Sequence, residues 1–469
     1  MNKSYKLFFY AVILVNVIFN ARYQLHYDEA YYWVFSQNLS MSYFDHPPML
    51  AYMIKFFSLF GHSEFLVRCA ALFSTIITVL MIYNLAKRMW GYDVANIALI
   101  LALSSPLIEA MFFIITPDSP LLMFWAFSLY FFYKGVFEGS TKNIYMTGIF
   151  TGLGLLTKYT MVLIFPSLFL FLIFSNKYRR LLFQKDIYFS TLIAIIIFSP
   201  VIFWNYQHDW VSFAFQFHHG VDLSQKFNIR AFLDYMGGQL LIGGVFIFLA
   251  LLCFVICFIK SNIKDDKLAF LLWPFVFILV FFGSRALFQH MEANWPAVAY
   301  ISGIVLLAYW INKTKMRWIY IASFYLMLLI IVLVKLPLNL LPKELHNRSE
   351  VQIVNAFYGS KELLSGVRAY LRPEDIVLAC DYGNASRAWF YLNLSRTHVL
   401  SDFKFAHMYQ YWNNDLPNPI KNAIYICDHQ DSEAMNVLKE KFKIIQPLDV
   451  MKYDNRIGER DMYIYRVAN

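Results

Sequence analysis

The feature that most constrains the fold of this chain is a series of long apolar segments separated by short polar ones. A membrane-spanning helix needs about 20 largely apolar residues, and eleven segments approach or reach that length. Only 15% of the residues are charged, against about 25% in soluble domains. We therefore expect a polytopic α-helical membrane protein with about eleven transmembrane helices. The segments lie at about residues 7–21, 65–86, 95–115, 119–138, 143–157, 160–175, 187–205, 233–259, 268–283, 297–311 and 317–334.

Basic residues predict the orientation of these segments. Lysine and arginine concentrate in the cytoplasmic loops of membrane proteins. Here they precede the first segment and follow the second, sixth, eighth and tenth, all on one side if the N-terminus is cytoplasmic. Eleven crossings then place the C-terminal part outside. The net charge of +9 is explained by these loops, so we expect no nucleic-acid partner.

Composition also predicts two domains. Residues 1–335 carry the apolar segments, and from about residue 336 helix-like and short strand-like segments alternate. This alternation indicates a small α/β external domain over 336–469, and it contains no glycine-rich phosphate loop. Cys380 and Cys427 each end a strand-like segment. A disulfide between them fits an oxidising compartment, and the sequence leaves that pairing open.

Unusual polar residues fall on the predicted external side, beginning with the stretch HYDEAYYW. It places Asp28 and Glu29, followed by Tyr31, where the first apolar helix is expected to end. A single carboxylate there can simply mark the water interface. An acidic pair at the mouth of a membrane cavity can also take a proton from a hydroxyl, and the aromatic rings could line a sugar site.

The stretch YFDHPP follows in the same loop. Asp45 and His46 precede two prolines, which restrict the backbone around them. Residues 49–61 are apolar on one side and are predicted to form a helix in the outer membrane interface. Residues 22–64 therefore form a first external loop with two acidic sites beside the lipid.

Three further residues are candidates for anion or sugar binding. Asp118 lies between two segments and reads either as a helix cap or as part of a site. Lys158 reads either as a lysine that reaches to the interface or as an anion ligand. Arg285 lies in a late external loop and supplies another cation.

Histidine and carboxylate side chains could also hold a divalent cation. The tentative ligands are Asp45, His208 and Glu292. Their spacing is not diagnostic. A divalent metal ion is therefore one hypothesis, and we expect no other cofactor.

Six motifs in combination resemble bacterial members of the dolichyl-phosphate-mannose–protein mannosyltransferase superfamily, over about residues 20–300. They are the Asp-Glu pair, YFDHPP, TPD, LLTKYT, WNYQHDWVSFAFQF and EANWPA. The resemblance implies a C-type glycosyltransferase fold and a relationship to lipid A aminoarabinose transferase. It also implies a bacterial inner-membrane enzyme that transfers a sugar, with inversion, from a polyprenyl-phosphate donor on the external face.

The resemblance assigns the chemistry of the acceptor to the first loop. Asp28 takes the place of the aspartate that deprotonates the acceptor hydroxyl in the family, and Glu29 would support it. The resemblance does not place Tyr31, which is expected to bind the donor sugar because of its aromatic ring alone.

The resemblance assigns the donor phosphate to other residues. Asp45 matches a second acidic position near a metal or the phosphate, and Asp118 matches a further one. His46 stands where the aminoarabinose transferase carries a lysine. Phosphate contact by His46 would therefore require its protonation, or help from Lys158 or Arg285.

The expected partners are the lipid-linked donor, membrane lipids, and a glycolipid or protein acceptor. Lipid A, another surface glycan and protein hydroxyls remain open, and the small external domain favours a glycolipid. One alternative is a transporter or flippase of a lipid-linked sugar. Its acids would be expected at mid-membrane and its halves repeated, which this sequence does not show. A second alternative, an O-antigen ligase or polymerase, would carry one large late external loop.

Overall fold

The computed structural model describes residues 3–220, 226–261, 265–335, 356–400, 407–412, 420–429, 432–454 and 459–469. The chain forms two compact units. One, here called the helical unit, comprises Met1–Ile18, Met41–Leu50 and Arg68–Val332. The other, the mixed unit, comprises Phe19–Ser40, Ala51–Val67 and Leu333–Asn469. The predicted boundary at residue 336 lies outside the described residues, so the division there stays a prediction.

Helices dominate the chain up to residue 335, and each of the eleven apolar segments has a helical counterpart. The helices are α1 (Lys3–Asn20), α2 (Tyr27–Gln37), α3 (Met49–Ser58), α4 (Glu64–Trp90), α5 (Tyr92–Leu103), α6 (Pro106–Phe113), α7 (Asp118–Phe137), α8 (Thr141–Leu155), α9 (Ile164–Phe174), α10 (Lys185–Gln207), α11 (Val211–Gly220), α12 (Ile229–Gly243), α13 (Val245–Ser261), α14 (Asp266–Ala286), α15 (Ala299–Thr314) and α16 (Trp318–Lys335). Short 3₁₀ turns at Tyr159–Leu163 and Arg179–Phe183 flank α9.

Four helices in the described part of the chain, α4, α7, α10 and α14, are long and apolar enough to span a membrane. Two bent pairs, α5 with α6 and α12 with α13, would raise the number to six. The prediction of an apolar, multi-helix protein is confirmed. The count of eleven crossings stays a prediction.

The same two bent pairs correct the sequence-based expectation of single helices at 95–115 and 233–259. The bends are 63° and 111°. Pro106 is the first residue of α6, where its missing N–H and its ring end the preceding helical hydrogen-bond pattern. Gly244 follows α12 with a φ of +87°, a left-handed conformation that glycine adopts without strain.

The helical unit contains a close approach of α8 to α10. A Cβ atom on Gly148 would clash with the Ser190 carbonyl, and one on Gly152 would lie 2.7 Å from the Cβ of Ile197. The Ser190 hydroxyl donates to the Ile144 carbonyl at 2.7 Å. Small residues permit such contacts between helices in an apolar medium. A larger side chain at Gly148 would force the two helices apart.

The mixed unit contains a five-stranded sheet, which confirms the predicted C-terminal α/β region. Its elements are α17 (Ser360–Val367), β1 (Ile376–Ala379), α18 (Tyr382–Leu392), β2 (Thr397–Val399), α19 (Tyr409–Trp412), β3 (Ala423–Cys427), α20 (Ser432–Lys441), β4 (Ile444–Asp454) and β5 (Glu459–Ala468). The strand order is β2-β1-β3-β5-β4. Strand β1 runs parallel to β2 and β3, and β5 runs antiparallel to β3 and β4. All residues of β1 and β3 are buried, as expected for parallel strands covered on both faces.

The acidic pair lies elsewhere than predicted. Asp28 and Glu29 were expected at the end of the first apolar helix, but α1 ends at Asn20 and the pair lies in the first turn of α2. Within the mixed unit, α2 packs on α18. The acidic pair is therefore fixed by the start of a second helix.

Cys380 and Cys427 are joined by a disulfide, with their Cα atoms 5.3 Å apart. They lie at the carboxyl ends of the neighbouring strands β1 and β3. This bond closes a loop of 47 residues and resolves the pairing that the sequence left open.

Breaking this disulfide should destabilise the mixed unit. Loop closure of this length lowers the entropy of the unfolded chain, so Cys380→Ser or full reduction should reduce the free energy of unfolding by about 2–4 kcal/mol. Calorimetry of the purified protein in detergent, with and without reductant, measures this change. Cys253→Ser, at a free and exposed cysteine, is the control. An unchanged transition after full reduction would contradict the prediction.

Candidate functional site

The start of α2 is set by two reciprocal hydrogen bonds. Nδ1 of His26 accepts the Asp28 N–H at 3.4 Å, and the Glu29 carboxylate accepts the His26 N–H at 2.9 Å. This arrangement is a capping box, and carboxylates in a first turn are also favoured by the helix dipole. Glu29 is fully buried and fixes where the helix begins. Its expected support of Asp28 in catalysis stays a prediction.

Asp28 has neighbours on both carboxylate oxygens. Oδ1 accepts the Tyr382 hydroxyl at 3.1 Å, and Oδ2 lies 3.5 Å from Nδ1 of His26. That nitrogen already accepts a backbone N–H, so a neutral His26 has no proton there for the carboxylate. Burial is the main cause that raises the pKa of Asp28 to about 6. The negative charge of Glu29 also raises this pKa, whereas the hydrogen bond from Tyr382 lowers it. A carboxylate with a proton affinity near neutrality is suited to act as a general base.

Tyr31 anchors α2 within the mixed unit. Its buried hydroxyl accepts the Met408 N–H at 2.7 Å. Its ring centroid lies 4.7 Å from Phe35 and 4.8 Å from Tyr382. Because the ring is only 3% exposed, packing accounts for its placement. Its contact with a donor sugar stays a prediction.

Three motifs meet in the helical unit around Asp118. Nζ of Lys158 lies 2.8 Å from one oxygen of Asp118, and the Asn294 amide donates to the other oxygen at 2.7 Å. The Asp118 side chain is 2% exposed and that of Lys158 is 13% exposed. Asp118 is the first residue of α7, which has no side-chain capping hydrogen bond. The place of Lys158 at the membrane interface stays a prediction. TPD, LLTKYT and EANWPA form one buried polar group.

This group can accept an anion. An ammonium carries three donors, and among the described residues Lys158 pairs with Asp118 alone. Two of its N–H groups therefore remain for a ligand. Donors held in place in a low-dielectric setting are effective at stabilising charge that develops on a phosphate.

The YFDHPP loop is held by a second set of contacts in the helical unit. The Tyr159 hydroxyl lies 3.5 Å from the Ser42 hydroxyl and 2.5 Å from that of Ser212. The Gln216 amide donates to the Asp45 carbonyl at 2.9 Å. These contacts join TKYT to the residue directly before YFDHPP, and the WNYQHDWVSFAFQF stretch to Asp45 within it. The side chains of Asp45 and His46 are half-buried.

The remaining predicted residues are Arg285, His208 and Glu292. Arg285 is half-buried in the last turn of α14. His208 follows α10, where Nδ1 lies 2.8 Å from the Trp204 carbonyl and the ring stacks on Trp204 at 3.9 Å. Glu292 is exposed and pairs with His290 at 3.4 Å.

The structure does not assemble the predicted metal ligands. Among the described residues, one group of histidine, cysteine and acidic side chains is close enough to share an ion, and it contains the disulfide-bonded Cys380 and Cys427. Asp45, His208 and Glu292 are not brought together in this way. A divalent ion therefore stays a prediction without geometric support.

Three residues of these groups were missed from the sequence. Asn294 and Tyr159 lie inside quoted motifs, but an uncharged amide and phenol gave no reason to single them out. Tyr382 lies in no motif. Its only signal is its position directly after a buried strand, at the sheet edge where α/β folds place functional residues. Glu109, buried on α6 and bonded by the Asn16 amide at 3.3 Å, also escaped notice.

Comparisons with known proteins agree with these motifs. Residues 45–204 match the family described as dolichyl-phosphate-mannose-protein mannosyltransferase. Lipid A galacturonosyltransferase RgtD of Rhizobium johnstonii is 27% identical over 296 residues, which cover 61% of this chain and 60% of that protein. Undecaprenyl phosphate-alpha-4-amino-4-deoxy-L-arabinose arabinosyl transferase 1 of Proteus mirabilis is 28% identical over 307 residues, which cover 61% of this chain and 53% of that protein. The match thus spans less than two thirds of either relative.

The fold has solved counterparts. The crystal structure of ArnT from Cupriavidus metallidurans in the apo state superposes with a TM-score of 0.70 at 13% identity, covering 98% of both chains. The same protein bound to undecaprenyl phosphate gives 0.69 at 14% identity, covering 99% of this chain and 98% of that one. The chain therefore has an ArnT-like fold. With the motifs and the matched segment 45–204, the predicted resemblance to the dolichyl-phosphate-mannose–protein mannosyltransferase superfamily and to an aminoarabinose transferase is confirmed.

Proposed function

We propose that this protein is a polyprenyl-phosphate-sugar-dependent glycosyltransferase that transfers one sugar, with inversion, to an acceptor hydroxyl. The observation that carries the proposal is Asp28, a carboxylate held at a capped helix start with a pKa raised to about 6. Both curated relatives are named as sugar transferases, one acting on lipid A and one using an undecaprenyl-phosphate sugar. Those names support the same donor class here.

The reaction is a single displacement at the anomeric carbon. The Asp28 carboxylate takes the proton of the acceptor hydroxyl, and the oxygen forms a bond to the anomeric carbon. The bond from that carbon to the phosphate oxygen breaks, and polyprenyl phosphate leaves with the electron pair. Attack opposite the leaving group inverts the anomeric configuration.

Negative charge grows on the departing phosphate, and Lys158 is the residue we assign to stabilise it. The ammonium is held by Asp118, so little reorganisation is needed when the charge develops. Arg285 and His46 are further candidates for phosphate contact, Asp45 and Asp118 for donor binding, and Tyr31 for the sugar. The roles of Asp45, His46 and Asp118 follow the family resemblance, and those of Arg285 and Tyr31 follow from their charge and aromatic ring.

We further propose that the eleven apolar segments are eleven crossings of a bacterial inner membrane, with the N-terminus cytoplasmic and residues 336–469 periplasmic. The Cys380–Cys427 disulfide supports this orientation, because such bonds persist in oxidising compartments. The sheet of the mixed unit would then lie on the side where lipid-linked donors are used. The acceptor we favour is a glycolipid, with lipid A first.

Loss of the Asp28 carboxylate should abolish transfer with little loss of folding. Lipid A from a strain lacking this protein should lose a sugar-sized mass, which the wild type restores and Asp28→Asn does not. Mass spectrometry of lipid A measures this. Asp93→Asn, the same change at an exposed position in α5, should restore the mass. A folded Asp28→Asn protein with full activity would refute the assignment, and unchanged lipid A throughout would move the search to other glycans and glycoproteins.

Transfer should depend on pH through Asp28. Its ionised form is the reactive one, so kcat/KM should be level above about pH 7 and fall about tenfold per unit below its pKa near 6. Assays of the purified enzyme between pH 5 and 8 measure the profile. Enzyme returned from pH 5 to pH 7.5 should recover, which separates titration from unfolding. A profile that stays flat down to pH 5 would contradict the prediction.

Variants of the Lys158–Asp118 pair should change protein stability and transfer activity differently. Lys158→Met leaves a buried carboxylate without its cation, which typically costs about 3–5 kcal/mol. Adding Asp118→Asn removes that charge and should restore most of the stability, while transfer stays lost because no ammonium faces the phosphate. Thermal unfolding and transfer assays on the wild type, both single variants and the double variant test this. A stable double variant with full transfer would exclude Lys158 from the reaction.

A further inference from the structure

Asp28 receives its hydroxyl hydrogen bond from a residue 354 positions later in the chain. The donor, Tyr382, is the first residue of α18 and belongs to the α/β part of the mixed unit. The O–O distance of 3.1 Å joins the phenol to Oδ1. The residue assigned as the base is thus in direct contact with a domain that the sequence predicted as separate from the catalytic one.

The contact between Tyr382 and Asp28 is one of several that hold α2 closely against α18. The Tyr391 hydroxyl accepts the Leu25 N–H at 2.8 Å. Gly383 lies so close to α2 that a Cβ there would be 2.8 Å from the Cβ of Tyr27. The backbone that leads into Asp28 is therefore held against α18.

The start of α18 is itself rigid. Asp381 caps the helix by accepting the Asn384 N–H at 2.7 Å. The preceding residue, Cys380, is tied by its disulfide to the end of β3. The strand order 2-1-3 makes this edge, between β1 and β3, the point where successive connections run in opposite directions. That edge is where parallel α/β sheets place their functional groups.

Tyr382 serves as a donor throughout the working pH range. Burial, followed by the negative charge of Asp28, raises the pKa of its phenol well above the usual value. The hydroxyl therefore stays protonated when Asp28 ionises. A hydrogen bond to the charged form of a carboxylate favours that form.

We propose that Tyr382 is a positioning residue for Asp28: its hydroxyl orients the carboxylate and favours its ionised, proton-accepting form, so that the α/β domain takes part in the transfer step. This inference rests on the proposed function, in which Asp28 is the base. It gives the C-terminal domain a role in the reaction itself. The hydrogen bond from Tyr382 to Asp28 is explained without a bound acceptor.

Other titratable groups surround the pair. On the α2 side, His26 and Glu29 face Asp28, and Tyr27 packs against Tyr382 with ring centroids 6.2 Å apart. On the other side, Asp381 adds negative charge near the Tyr382 phenol, and the ring of His407 lies 5.4 Å from that of Tyr382. Burial lowers the pKa of His407 to about 4, so this imidazole is neutral in the range of the test.

The test is the pH profile of Tyr382→Phe. Loss of one hydrogen bond to a charged carboxylate should move the acid limb of kcat/KM upward by about one pH unit. The variant should then lose about threefold in kcat/KM at pH 6.5 and almost nothing at pH 8.5. A merely structural role would lower the rate by the same factor at every pH. A profile that coincides with the wild type, or falls uniformly, overturns the proposal.

Tyr391→Phe is the matched control. It removes a tyrosine hydroxyl from the same helix, bonded to the same segment, but to the Leu25 N–H in place of Asp28. Its acid limb should stay at the wild-type position. Histidine is the side chain that most often changes charge in this pH range. The shift is therefore measured again in a His26→Asn background, where asparagine can still cap α2. Disappearance of the shift there overturns the proposal, because it would assign the effect to His26.

If Tyr382→Phe does not fold, a second change at the same position still tests the proposal. 3-Fluorotyrosine at position 382 preserves the packing and is a stronger donor, so the acid limb should move to lower pH. An unmoved limb in this folded protein overturns the proposal. Asp28→Asn separates a failure of the proposed function from a failure of this inference. If Asp28→Asn retains full transfer, the proposed base is wrong. If it is inactive and the acid limb of the Tyr382 variants does not move, only the role of Tyr382 fails.

Discussion

The cost of removing charge from water governs the placement of the polar groups in this apolar chain. An ionised carboxylate is buried at tolerable cost only with a counter-ion or strong hydrogen bonds. Asp118 has both, an ammonium and an amide. Asp28 has a phenol on one oxygen and the His26 ring near the other, and burial raises its pKa. The two environments divide the acids into a fixed counter-ion and a group able to take up a proton.

The same constraint explains what could be predicted from the sequence. Polar residues in apolar surroundings are conspicuous, so the motifs around Asp118, Lys158 and Asp45 were found, and the structure shows that several share contacts. The apolar segments and the alternating C-terminal elements were also predicted, because their periodicity is local. The bends at Pro106 and Gly244 were not predicted, because in each case a single residue interrupts a helix within a continuous apolar segment.

What the sequence could not show depends on contacts between distant residues. Histidine is not a typical N-cap residue, so the start of α2 at His26 was missed and Asp28 was placed at the wrong helix end. Tyr382 carries no charge and lies in an ordinary helical stretch. Its importance follows only from the packing of α18 on α2. The disulfide likewise follows from the parallel pairing of β1 and β3, which brings Cys380 and Cys427 together.

The arrangement around α2 gives a physical reason for a domain that has no nucleotide motif. A general base must keep its orientation to within a fraction of an ångström, which requires rigid supports. A first loop between two membrane segments does not supply these by itself. Helix α2 is only 11 residues long, too short to be stable alone in water. The sheet of the mixed unit supplies the missing rigidity, because a buried strand, a disulfide and a capped helix hold Tyr382, whose hydroxyl contacts the carboxylate. The C-terminal sheet and the start of α2, which carries the proposed base, are therefore held together as one packed unit.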